Sequence, residues 1–276
     1  MFLLARNGAL AVISLLVTAV LYGADKPISV ALILDGLTHE DREPLRDYLT
    51  KAIGRPVKLV TPDTYSKTAA GLEDGSFDFA CLGALTYIRA RAKLGVIPLV
   101  QRTSDLRMHT VLITGAASSI HSLGDLNGKR FAFGDVNSTG TLMVERELMQ
   151  AGINPESDLQ IRYSGSHPAT AALVETGVVD AGAIDETVFT ALISEGKLNS
   201  EKVRVFYTTK PFVSYLYVSR KDVPEGDREK FARALLTLKE GKDDTVLKIL
   251  RAKQFVVATD EEYANIRQIA RKLGMF

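Results

Sequence analysis

The chain has 276 residues, 46% hydrophobic and 24% charged, with 21 Gly and 9 Pro, enough for one large α/β domain or two lobes. That composition excludes disorder and collagen-like repeats, and 34 basic against 33 acidic residues argues against a nucleic-acid binder, which carries a basic excess. The single cysteine, Cys81, excludes an internal disulfide and a Cys-based zinc or iron–sulfur site, and neither a metal nor a cofactor is expected.

Residues 1–24 stand apart. Arg6 is the only charge ahead of GALAVISLLVTAVLYG (8–23), after which Asp25-Lys26-Pro27 opens an ordinary polar sequence. A short positive stretch followed by an apolar run is the pattern of a secretory signal. The run is shorter than the about 20 residues of a membrane span. Tyr22 or Leu21 occupies the place where cleavage wants a small residue, so an uncleaved N-terminal anchor is the alternative. Either reading puts residues 25–276 in the periplasm, where a lone cysteine has nothing within the chain to mispair with.

Strand and helix patterns then alternate. ISVALIL (28–34) is a near-continuous apolar run, as in a strand covered on both faces. Thr38 and the acidic Glu40-Asp41 open a helix that stops at Gly54. VKLV (57–60) is a strand, 64–72 a helix, FDFACLG (77–83) a strand and 84–93 a helix ending before Gly95. VIPLVQ (96–101) and TVLITG (110–115) complete this first series, whose order is that of a mostly parallel sheet. A second series follows: strands 129–134, 159–163 and 178–184, helices 139–151, 167–175 and 186–195, then strands 203–209 and 212–219. Helices at 227–239, 243–252 and 260–273 close the chain. Two such series suggest lobe 1 at 25–115, lobe 2 at 116–208 and a return to lobe 1 over 209–276. The crossings fall near Thr114–Ala117 and Tyr207–Ser214, with a ligand cleft between the lobes. A single three-layer domain would have the same composition.

The most informative stretch is DLNGKRFAFGDVNSTGT (125–141). A buried strand ends at Gly134 and Ser138-Thr139-Gly140-Thr141 opens a helix, aiming free N–H groups and the positive end of a helix dipole at one point. The hydroxyls of Ser138, Thr139 and Thr141 add donors, and Gly140 lets a ligand approach the backbone. The result is an anion site without a buried cation, or else an ordinary N-cap. His167 in YSGSHPAT and Asp185 in AGAIDET occupy the same station after the next two strands, where open α/β sheets line their crevices. Tyr65 and Tyr87 follow strands of the first series and could present rings and hydroxyls, or simply fill the core.

GALTYIRA, DLNGKRFAFGDVNSTGT, YSGSHPAT and VVDAGAID, in this order and spacing, resemble the periplasmic binding proteins of phosphonate and phosphite ABC transporters. The similarity runs from about residue 28 to 250. The resemblance implies an α/β fold of the two-lobed type II binding-protein kind, each lobe a mostly parallel sheet flanked by helices. It implies a small phosphorus oxyanion (phosphonate, phosphite or phosphate) as ligand, a membrane permease as partner, and no catalysis. By resemblance Ser138, Thr139, His167, Tyr87, Tyr65 and Asp185 hold the ligand. At Gly140 the sequence departs from a family pattern that usually has a third hydroxyl there, with Thr141 next to it. A monomer is expected. A sensory module for a small anion would share all these features. A Ser138/His167/Asp185 hydrolase is disfavoured: no G-x-S-x-G elbow surrounds Ser138, and a helix start opposes imidazolium formation at His167.

Overall fold

The computed structural model describes residues 26–33 and 42–275. The leader or anchor at 1–24 and the Thr38 cap lie outside the described residues. In the first lobe β1 (Ile28–Ala31), β2 (Val57–Val60), β3 (Phe79–Leu82) and β4 (Ile97–Arg102) alternate with α1 (Glu43–Ile53), α2 (Tyr65–Glu73) and α3 (Ala84–Leu94). The second lobe holds β5 (Thr110–Gly115), β6 (Arg130–Phe133), β7 (Gln160–Tyr163), β8 (Ala181–Asp185) and β9 (Val203–Thr208). Its helices are α4 (Thr139–Gln150), α5 (Pro155–Asp158), α6 (His167–Glu175) and α7 (Glu186–Ser194). The chain then returns with β10 (Leu216–Ser219), α8 (Glu225–Leu236), α9 (Asp244–Ile249), β11 (Phe255–Val257) and α10 (Ala264–Lys272).

Local chemistry explains most of these boundaries. All four residues of β1 and of β3 are buried, which is why both read as nearly continuous apolar runs, with Ser29 the one polar residue. Thr64 caps α2 by accepting the Lys67 N–H at 3.2 Å. At Gly95 φ is 69°, a left-handed C-cap that glycine adopts without a Cβ penalty. The one strand the sequence pattern leaves out is β11, three residues at a sheet edge.

The first sheet has six strands in the order β11-β4-β10-β3-β1-β2, and the second has five in the order β7-β6-β8-β5-β9. Both are mixed. In the first, β10 runs antiparallel to β3 and β4. In the second, β5 runs antiparallel to β8 and β9. Helices cover both faces. Leu45, Leu49, Phe231 and Leu247 pack one face of the first sheet and Tyr87, Ile88, Tyr263 and Ile266 the other. In the second lobe Val144 and Leu148 of α4 lie against Phe131 and Phe133, while α6 and α7 cover the opposite face.

One boundary differs from the sequence expectation. TVLITG pairs residue for residue with β8, Thr110 opposite Asp185 through Thr114 opposite Ala181. The first crossing therefore precedes Thr110 instead of falling at Thr114–Ala117, and residues 110–115 belong to lobe 2. An apolar run announces a buried strand but not which sheet will bury it. The chain returns between Thr208 and Leu216. The two crossings lie side by side, joined by a bridge between Met108 and Phe212.

Candidate functional site

Three loops of lobe 2 end on one side of its sheet, and each is held by a local hydrogen bond. After β6 the Asn137 N–H meets Asp135 Oδ1 at 2.7 Å and the Ser138 N–H meets the Asp135 carbonyl at 3.0 Å. This turn delivers Ser138 as the N-cap of α4, where its Oγ accepts the Gly140 N–H at 3.1 Å. After β7, Ser166 caps α6 and presents His167. After β8, Asp185 caps α7, its Oδ1 accepting the Thr187 N–H at 2.8 Å and the Thr187 hydroxyl at 2.7 Å. Ser138, Thr139, His167 and Asp185 are all buried.

His167 and Asp185 touch. His167 Nδ1 accepts the Asp185 backbone N–H at 3.4 Å, so in the neutral ring the proton sits on Nε2, as a donor. His167 also lines two adjoining recesses of the cleft, together with Ile33 and Tyr65 from lobe 1. One recess is completed by Pro62, Gly134 and Ser166, the other by Arg102, Asp185 and Tyr215.

Lobe 1 meets this constellation with a helix start of its own. Gly83 caps α3, and the Leu85 N–H donates to Thr139 Oγ1 at 3.1 Å across the cleft. The N-termini of α3 and α4 thus face each other and bring two positive dipole ends to one place. Because Thr139 Oγ1 accepts that bond, its own proton remains a donor. Tyr65 Oη lies 2.7 Å from Tyr215 Oη, and both rings flank Gly83. Desolvation, then Tyr65 and Asp185, push the Tyr215 phenol well above its ordinary range, so it stays a neutral donor. Behind it Arg102 lies 5.5 Å from the ring centroid and makes a two-armed ion pair with Asp105, 2.7 Å on each arm.

Two expected site residues point elsewhere. Tyr87 is fully buried in lobe 1, stacked edge-on to Tyr263 with centroids 4.9 Å apart, and its hydroxyl donates to Asp260 at 2.7 Å. One turn into α3, it faces the core and not the cleft. The Thr141 hydroxyl donates to the Asp135 carbonyl at 2.8 Å, locking the turn before α4. Two residues absent from the sequence expectation belong here: Tyr215 and Arg102. Tyr215 stands just before an antiparallel strand, so a search for polar residues after strands passes over it.

No serine–histidine–carboxylate relay joins the described residues, since His167 meets a backbone N–H and the Asp185 carboxylate meets Thr187. Nor do the described residues include a group of three or more His, Cys, Asp or Glu able to hold a metal ion. What the arrangement offers is a set of neutral donors around a small volume, with one carboxylate at its side.

Residues 36–263 match the family described as the periplasmic substrate-binding protein of phosphonate ABC transporters. The chain belongs to that family. It is 30% identical over 242 residues to the probable ABC transporter phosphite binding protein PhnD1 of Prochlorococcus marinus, covering 82% of each chain. The structure of PhnD1 from that organism with methylphosphonate superposes with a TM-score of 0.83 at 27% identity, covering 91% of this chain and 99% of that one. A binding component of a phosphonate ABC transporter from Pseudomonas aeruginosa shares the fold, with a TM-score of 0.80 at 19% identity over 89% of this chain and 86% of that one. The type II binding-protein fold and the transporter function implied by the resemblance both hold. The chain is a periplasmic substrate-binding protein of the phosphonate ABC transporter family.

Proposed function

We propose that this protein acts as a monomer in the periplasm. It captures a phosphite or a small alkylphosphonate in the cleft, closes on it, and hands it unchanged to its membrane permease. The carrying observation is the meeting of two helix N-termini, α3 and α4, at Thr139, beside the buried His167 and Asp185. Ser138 and Thr139 give hydroxyls and Thr139 its N–H to the anion, His167 gives Nε2–H, and the Tyr65–Tyr215 pair gives the one phenol proton that their mutual hydrogen bond leaves over. Such neutral donors bind an oxyanion without a salt bridge. The phosphite named for one relative and the methylphosphonate bound in its structure are both small enough for paired recesses of this kind.

Calorimetric titration with phosphite, methylphosphonate, phosphate and sulfate tests the reading. Phosphite or methylphosphonate should bind and sulfate should not. Thr139→Ala removes one hydrogen bond to a charged group and should weaken binding by about 1.5–3 kcal/mol, roughly 10- to 150-fold. Failure of every phosphorus oxyanion to bind overturns the reading.

A further inference from the structure

The first turn of α4 lacks a side chain at Gly140, and the structure shows what fills that space. A Cβ built on Gly140 would lie 2.7 Å from Thr110 Oγ1 and 3.4 Å from Ser138 Oγ. Real Cβ atoms do not approach an oxygen that closely, so Gly140 and the Thr110 hydroxyl are a matched pair. Thr110 is 2% exposed. Its backbone is fully occupied: its N–H donates to Thr209 Oγ1 at 2.9 Å, and its carbonyl accepts the Thr209 N–H at 3.0 Å. Its hydroxyl, by contrast, makes no hydrogen bond to any described residue. This hydroxyl is aimed at a helix start already lined by Ser138 Oγ. In the sheet Thr110 lies directly opposite Asp185, which places it between the α4 start and that carboxylate.

We propose that Thr110 is a ligand-binding residue whose hydroxyl supplies, from strand β5, the third hydroxyl of the oxyanion site next to Ser138 and Thr139. This rests on the reading of the cleft as a phosphorus-oxyanion site and adds to it a residue from a different element. Thr110 opens lobe 2 immediately after the first crossing, and its neighbour His109 holds the second crossing through Nδ1 and the Thr209 carbonyl, 2.8 Å apart. A ligand bound to Thr110 is therefore bound at the hinge end of the site.

The test relocates the hydroxyl. With phosphite and methylphosphonate as probes, Thr110→Val should lose about 10-fold or more in affinity, while Thr110→Ser should keep most of it. Gly140→Ser alone should weaken binding, because its Cβ meets Thr110 Oγ1. In the double variant Thr110→Ala with Gly140→Ser, the new Cβ faces Ser138 Oγ at 3.4 Å and the residue 110 Cβ at 3.8 Å, both ordinary contacts, and a hydroxyl returns from the helix side. Its affinity should exceed that of either single change. Thermal unfolding without ligand separates folding defects from binding defects. If Thr110→Val binds both probes as the wild type does, or the double variant is no better than Thr110→Ala, the proposal is overturned. If the wild type binds neither probe, it falls together with the reading of the cleft.

Discussion

An ionised carboxylate accepts hydrogen bonds and donates none, so Asp185 beside an anion requires a proton on the ligand. Its Oδ1 is already filled by Thr187, which leaves Oδ2 for that role. Phosphite, phosphonates and phosphate can carry a P–OH near neutral pH, whereas sulfate cannot. Facing sulfate, Asp185 would be an uncompensated like charge in a closed cleft, a cost of several kcal/mol. Asp185→Asn is therefore expected to weaken binding of the phosphorus ligand and to narrow its margin over sulfate. A role limited to capping α7 predicts a modest stability loss and an unchanged preference. Competition titrations of wild type and variant with both anions distinguish the two, and an unchanged ratio removes Asp185 as the selector.

Helix α4 serves the site at one end and carries a strained carboxyl further along. Burial, reinforced by Glu156, pushes Glu145 up from its ordinary 4.5 to about 7. Below pH 4.5 the folded and unfolded chains both hold the proton, and no penalty exists. Between pH 4.5 and 7 the folded state keeps a proton that the unfolded chain has released, so stability falls as pH rises. Above 7 the penalty is complete. Glu145→Gln should match the wild type in urea midpoint near pH 4 and exceed it at pH 8; equal midpoints at both values contradict this account. At the same scale, the strand–loop–helix stations of Ser138, His167 and Asp185 were legible because β6, β7 and β8 all point their C-terminal ends at the cleft. The antiparallel β5 and β10 were not, since strand direction is fixed by partners far away in sequence. They bring Thr110 and Tyr215 to the site by their first residues or the residue just before. Tyr87 misled for a related reason: three residues after the helix starts, its direction depends on where α3 packs, and Tyr263 and Asp260 (the partners that turn it inward) lie at the far end of the chain.

The two lobes are joined by two adjacent crossings and, across the cleft, by contacts from the loop before α4. Asn137 Nδ2 donates to Ser66 Oγ at 3.0 Å, the Arg89 guanidinium donates to Asn137 Oδ1, and the Thr86 hydroxyl reaches the Asn137 carbonyl at 3.3 Å. Leu142 and Met143 of α4 share an apolar cluster with Leu85 and Ile88 of α3. All of these links belong to the state in which the lobes are together, so they set the balance between open and closed forms without touching the anion. The apparent affinity of such a protein is its intrinsic affinity scaled by the fraction that can close. Asn137→Ala removes both side-chain links, each with a net value of about 0.5–1.5 kcal/mol. It should therefore weaken binding by roughly 5- to 150-fold. The loss should appear as faster ligand release with little change in association rate, because encounter precedes closure. Stability of the unliganded protein in urea should stay near the wild-type value, since neither lobe core is altered. Stopped-flow release with phosphite or methylphosphonate reads this directly. An unchanged release rate would mean that closure is held by the links that survive the substitution, the apolar contacts of Leu142 and Met143 and the bonds of Thr86 and Leu85 to the lobe 2 loop.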